Sequence, residues 1–279
     1  MLSLSKHLYR FDKLSMTFRY PGRQTPNTQS PMPSPISVLS GASAPEQARR
    51  EGFAQSLRES PLPNTELLNN LGLYLNRQTF SRLLFFTELY QQIIPVHGVA
   101  MEFGVRWGQN LALMHALRGI YEPFNYNRKI IGFDTFGGFP SVDAKDGTLV
   151  KEGDYSVTPD YQAYLTEILA LHEADSPIPH KRKFELVAGD AAETVPRYLR
   201  DHPETVIAFA YFDFDIYAPT KACLEAIRPR LTKGAIVAFD ELNCPEFPGE
   251  TLAFDEVFGV ANYALRRSPL NPLISYLVV

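Results

Sequence analysis

The sequence predicts an α/β protein: a mostly parallel sheet of seven strands with a helical extension in front of it. Three observations carry that prediction. After Pro95, short β-rich runs alternate with segments of helical periodicity, the pattern of βαβ units. Four of the five runs close on an acidic residue, and the first carries one just before its glycine. The tail, "NYALRRSPLNPLISYLVV", reads as two strands around a turn containing Pro269, Asn271 and Pro272, which would add an antiparallel strand to the sheet edge.

In chain order, "MLSLSKHLYRFDKLSMTFRY" lacks the apolar core of a secretory signal. Residues 21 to 49 contain "PGRQTPNTQSPMPSPISVLSGASAPEQ", with little to bury, and are expected to be a loop or flexible arm. From Asn64, "NTELLNNLGLYLNRQTFSRLLFFTELYQQIIP" has apolar residues at helical spacing and stops at a proline, which predicts one or two helices capping the main domain. Leu83, Leu84, Phe85 and Phe86 in succession exceed one buried face, so a homodimer or a covering role for the arm is expected. The strands follow at 98–104, 128–134, 184–190, 206–213 and 235–241. In open α/β sheets ligands bind beyond the carboxyl ends of the strands, so the acids should gather on one rim.

Twenty-seven basic against thirty-one acidic residues leave a net charge of −4, and no Lys/Arg run is long enough for a nucleic-acid face. No apolar run approaches the roughly twenty residues of a membrane span. Cys223 and Cys244 make neither a disulfide framework nor a zinc spacing, and the expected setting is a reducing cytoplasm.

"EFGVRWGQN" follows the first strand and opens a helix. It is Gly-x-x-x-Gly, with bulky Arg106 and Trp107 between Gly104 and Gly108, and so lacks the third glycine of a dinucleotide fingerprint. A ligand without phosphates fits it better. Asp134 ends the second strand, where a carboxylate can accept from two ribose hydroxyls. In "AGDAAE", Asp190 and the Ala191 amide could read an adenine edge. Singly, each feature has a plainer reading as packing, helix cap or solvated tip. In order, one per strand end, they point to S-adenosylmethionine, with Glu102, Gly104, Arg106, Gly108, Asn110, Asp134, Thr135, Gly189, Asp190 and Ala191 as the expected contacts.

Asp213 closes the fourth run and Asp215 lies two residues on, while Asp240 and Glu241 close the fifth. Four acids on neighbouring strand ends would repel unless a cation offset them, and an all-oxygen donor set suits Mg²⁺ or another hard divalent ion. His115 and His172 sit singly on predicted helices and read as packing or surface residues.

"MEFGVRWGQN", "IGFDTFGGFP", "AGDAAETVP" and "FDFDIYAPTKACLEAIRPRLTKGAIVAFDE" together resemble the macrocin-type sugar O-methyltransferases, over about residues 97 to 260. That resemblance implies a Rossmann-like seven-stranded class I methyltransferase sheet, S-adenosylmethionine as donor and a divalent cation. It assigns Asp213, Asp240 and Glu241 to the metal, Asp215 to the base, and Tyr217 to the motif's tyrosine. Phe214 stands where the family commonly has glycine, and Glu241 where it has a second aspartate. The expected organisation is an N-terminal arm over 1–62, a helical cap over 63–96 and the methyltransferase domain over 97–279, with the segment between Asp134 and His180 as a lid. The acceptor would be a hydroxyl of a sugar or glycosylated small molecule. A catechol-type methyltransferase would instead take an aromatic diol, an NAD enzyme would need the missing glycine, and a non-catalytic adenosyl-binding module would show no turnover.

Overall fold

Parallel strands with helical crossovers must bury both faces of their sheet, and this chain does so. The structure is a computed structural model that describes residues 42–279; the first twenty residues and most of the proposed arm lie outside the described residues. The expected loop ends sooner than residue 49. Helix α1 (Ala44–Arg58) begins there because Ser43 and Glu46 form a capping box, Glu46 accepting from the Ser43 N–H at 2.9 Å, with a proline in the first turn. That start signal was hidden inside a Pro/Ser-rich composition.

A short α2 (Asn64–Leu67) runs into a 3₁₀ turn ending at Tyr74, and α3 (Arg77–Ile93) follows, capped by Asn76 accepting from the Thr79 N–H. Then come β1 (Val99–Phe103), α4 (Gln109–Tyr121), β2 (Ile130–Asp134), α5 (Tyr161–Asp175), β3 (Phe184–Ala188), α6 (Ala191–Asp201), β4 (Ile207–Phe212), α7 (Tyr217–Ile227), β5 (Leu231–Phe239), α8 (Pro248–Val257), β6 (Arg266–Ser268) and β7 (Asn271–Val278). Among the described residues the strands form one sheet in the order β3-β2-β1-β4-β5-β7-β6. β1 to β5 are parallel, and the tail hairpin adds β7 antiparallel to β5, from Ile236 opposite Val278 to Phe239 opposite Ser275.

The period of two along each strand sorts the core. Ala100, Ile130, Phe209, Tyr211 and Ile236 pack with α3, α4 and α5, while Met101, Phe103, Phe133, Phe212 and Phe239 pack with α6, α7 and α8. Helix α3 packs directly on the sheet as part of that core. Phe85, Phe86, Leu89 and Ile93 are buried, and the Phe86 ring lies 5.0 Å from that of Tyr211. Much of the apolar surplus in that helix goes to the sheet, leaving Phe80 and Leu84 exposed.

Four adjacent strands place phenylalanines side by side at or next to their last residues. Phe103 stacks on Phe133 at 5.5 Å and on Phe212 at 4.4 Å, and Phe212 stacks on Phe239 at 5.2 Å. This row is an apolar floor directly beneath the acidic rim.

Candidate active site

The chain order reverses between β1 and β4, so the strand ends open into a crevice there. Gly104 leaves β1 at φ 91°, and a Cβ at that position would come within 2.7 Å of the Asp213 carbonyl carbon. Only glycine lets the loop lie against the first residue after β4. Gly108, at φ 74°, heads α4, and a Cβ there would strike the Leu165 side chain. The loop between them is held by Asp134: one carboxylate oxygen accepts from the Val105 and Arg106 N–H groups, both at 2.7 Å, and the other from the Phe136 N–H at 2.5 Å. Thr135 donates its hydroxyl to the Gly138 carbonyl at 2.6 Å. Asp190 caps α6, accepting from the Ala192 N–H at 2.9 Å, so the plainer helix-cap reading holds there whatever else the residue does.

The carboxylates follow from the pairing of β4 with β5, which sets Phe212 opposite Phe239 and carries Asp240 beside Asp213. Burial, and then Asp240 and Asp215, push Asp213 well above the usual carboxylate range. Burial, and then Glu241 and Asp240, do the same to Asp215, whose backbone sits at φ 63°. Glu241 is raised by burial and by Asp240. A fifth acid lies beneath them. Glu250, fully buried in the first turn of α8, accepts from the Glu241 N–H at 2.9 Å, and its other oxygen has no partner. The neighbouring cation is Arg82 of α3, whose guanidinium is 3.6 Å from Asp213 and 3.7 Å from Asp240 and also donates to Asn110 and to Tyr211. The Tyr211 hydroxyl in turn donates to Asp240. Among the described residues no three His, Cys, Asp or Glu side chains close into a metal-holding group.

These residues surround one cleft of about 570 Å³. Gly104, Arg106, Gly108, Asn110, Asp134, Thr135, Gly189, Asp190, Ala191, Asp213, Asp215, Asp240 and Glu241 line it. Glu102 does not. It is buried under the cleft on the α3 face, its carboxyl pushed up to about 8 by that burial, and it reaches the cleft through Asn110, which donates to it at 2.7 Å. Tyr217 also lies away from the cleft: its N–H donates to Asp146 and its hydroxyl to Glu256, fastening the loop before α5 to α7 and α8. His115 is buried beside Phe184, consistent with packing. Sequence reasoning missed Arg50 and Arg82, which reach the cleft from α1 and α3, and Glu250.

No family model matches the chain, and no curated protein does. Solved structures do. The crystal structure of CalS11, calicheamicin methyltransferase, shares 46% identity at TM-score 0.83 over 90% of this chain and 99% of that one. The apo structure of CalS11, a TDP-rhamnose 3'-O-methyltransferase in calicheamicin biosynthesis, also gives 46% identity, at TM-score 0.76 over 87% and 96%. The chain belongs to the macrocin-type sugar O-methyltransferase family. It is an S-adenosylmethionine-dependent O-methyltransferase of class I fold. The O-methyltransferase NovP, 18% identical at TM-score 0.52 over 71% of this chain and 79% of that one, shares the fold.

In this methyltransferase the segment after β2 covers one side of the cleft. Phe139 and Val150 bury themselves with Ile216 and Phe247, and Tyr155 joins the cleft wall, where the Arg106 guanidinium lies 4.9 Å from its ring centre. Among the described residues no helix is long and apolar enough to cross a membrane.

Proposed function

We propose that the protein methylates a hydroxyl of a nucleotide-linked sugar, with a hard divalent cation assisting. The observation that carries this reading is the meeting of glycine loop and carboxylates in one cleft at Gly104, which leaves a methyl donor and an acidic acceptor site no room to be apart. The 46% identity to a TDP-rhamnose methyltransferase supports the sugar acceptor.

The cofactor would lie over Gly104 to Gly108, with Asp134, Thr135, Gly189, Asp190 and Ala191 around its nucleoside. Asp134 has already spent three acceptor sites on the backbone, so it would meet a ribose hydroxyl with what remains. The acceptor oxygen attacks the sulfonium methyl; the C–O bond forms as the C–S bond breaks, the electron pair stays on sulfur, and the hydroxyl proton passes to Asp215. Burial over the phenylalanine floor, with Glu241 and Asp240 close by, raises the proton affinity of Asp215, as a general base requires. Glu250 supports the Glu241 backbone from below.

Asp213, Asp240 and Glu241 offer only carboxylate oxygens, the donor chemistry a hard cation takes, and Asp240 raises the pKa of both Asp213 and Glu241. When bound, such an ion would lower the pKa of the acceptor hydroxyl and orient it. Arg82 also supplies positive charge to Asp213 and Asp240. The segment from residue 135 to 160 would act as the lid that excludes water. Exposed Leu68, Leu73, Phe80 and Leu84 are the surface on which a homodimer would form, and the free thiols of Cys223 and Cys244 suit a reducing cytoplasm.

The test is mass spectrometry of methyl transfer from labelled cofactor to nucleotide sugars, free glycosides and catechols. Transfer to the sugars supports the reading, and transfer to catechols alone overturns it. Asp240→Asn should weaken Mn²⁺ binding, with turnover partly restored by excess metal. Asp215→Asn should lose about 10²–10⁴-fold in rate with cofactor binding kept and no rescue by metal. Full activity after exhaustive chelation would remove the cation.

A further inference from the structure

A second cavity of about 380 Å³ adjoins the cleft, and nothing in the methyl transfer uses its residues. Arg49, Arg50 and Phe53 of α1 line one side, and Leu75, Asn76 and Arg77 at the start of α3 line the other. Arg50 belongs to the walls of both cavities, so they meet at that side chain.

Three arginines face this concavity in a chain whose net charge is −4. None of them takes part in an ion pair among the described residues, whereas Arg82, Arg118 and Arg128 elsewhere all do. The single acid in the wall, Glu46, is committed to its capping box, accepting from both the N–H and the hydroxyl of Ser43 at 2.9 Å. The first residues of α3, a helix of 17 residues, add the partial positive charge of a helix start. Phe53, 42% exposed, presents a ring on the same wall. Arg49 and Arg50 bear on Glu46 only through space, and guanidinium groups outside any ion pair with an aromatic face beside them match a ligand with phosphates at one end and a flat base at the other.

We infer that this cavity binds the nucleoside diphosphate of the sugar substrate, with Arg49, Arg50 and Arg77 on the phosphates and Phe53 against the base, so that the sugar extends past Arg50 into the cleft. The inference rests on the reading of the acceptor as a nucleotide-linked sugar. It divides the substrate by charge: the phosphates meet arginines supplied by α1 and α3, and the hydroxyls meet carboxylates supplied by β4 and β5. The division also explains why arginines from helices in front of the sheet reach a cleft built by the sheet.

Calorimetry on the full chain with thymidine diphosphate and uridine diphosphate as probes tests it, with S-adenosylhomocysteine as control. The wild type should bind a nucleoside diphosphate, more weakly as salt is raised. The Arg49→Gln/Arg77→Gln double variant should lose at least tenfold in that affinity while keeping its melting temperature and its S-adenosylhomocysteine affinity, because both side chains are exposed and neither lines the cofactor cleft. Phe53→Ala should weaken the nucleotide but not inorganic pyrophosphate. Absence of nucleotide binding by the wild type, or equal binding by the double variant, overturns the inference. Transfer to free glycosides without nucleotide binding would overturn it while leaving the sugar reading intact. Nucleotide binding without transfer to any sugar would uphold the cavity and sink the sugar reading.

Discussion

Asp134 offers a sharp test, because its carboxylate carries two backbone N–H groups of the Gly104–Gly108 loop and a third, that of Phe136, in its own segment. Removing it in Asp134→Ala deletes three charge-assisted hydrogen bonds, each worth about 1.5–3 kcal/mol where water cannot replace the carboxylate. The residue is half-buried at the cleft wall, so water recovers part of the loss. A net destabilisation of about 2–4 kcal/mol is expected, several degrees in melting temperature for a domain of this size. Asp134→Asn should cost less, about 1–2 kcal/mol: its amide oxygen can still serve Val105 and Arg106, but its NH₂ then faces the Phe136 N–H. Thermal unfolding of the ligand-free protein and calorimetry with S-adenosylhomocysteine measure the two effects. Stability and affinity should fall together, in the order wild type, Asn, Ala. A large loss of affinity with an unchanged melting temperature in Asp134→Ala would refute the argument, since Asp134 would then act on the ligand alone and not on the loop.

Three further predictions concern the scaffold. Gly104→Ala should abolish S-adenosylhomocysteine binding in calorimetry, because the new methyl meets Asp213 backbone at a φ of 91° that alanine resists; micromolar binding would contradict the packing described. Among the described residues Glu173 is the acid paired with buried Lys183, and it lies 3.7 Å from buried Arg118, so Glu173→Gln should cost about 3–5 kcal/mol in urea unfolding. Glu102→Gln should gain stability over wild type as pH rises from 4.5 to about 8: across that window the unfolded carboxyl ionises while the folded one, raised by burial, holds its proton, an advantage of about 1.4 kcal/mol per pH unit. Parallel pH–stability curves for the two proteins would count against a raised Glu102.

The rim was legible because parallel strands translate sequence into geometry: an acid just after each β-rich run has to lie on one edge of the sheet. The same logic shows why Glu102 reads differently in three dimensions. It lies one residue before the end of β1, on the face shared with Ala100, and the alternation sends it under α3 and α4 instead of onto the rim. Arg50 and Arg82 were not legible. Arg50 lines the cleft from a helix far from the strand ends in sequence, and Arg82 meets Tyr211 across 129 positions, so no local spacing encodes either. Glu250 was hidden for a related reason, since a glutamate in the first turn of a helix ordinarily reads as a dipole partner.

The phenylalanine floor and the carboxylate rim make one device. Phe133, Phe103, Phe212 and Phe239 withdraw water from below the acids, which raises the cost of ionising Asp213 and Asp215. Arg82 offsets part of that cost, but it is held in place by Asn110 and Tyr211 and meets only Asp213 and Asp240. Asp215 is left to Glu241 and Asp240, which raise its pKa, and to Arg106, which lowers it. The asymmetry separates the two aspartates of one short motif: both are pushed up by burial and by neighbouring acids, but Asp213 has Arg82 as an ion-pair partner and Asp215 does not. An acceptor hydroxyl brought between them would meet a carboxyl group paired with Arg82 on one side and one without that partner on the other.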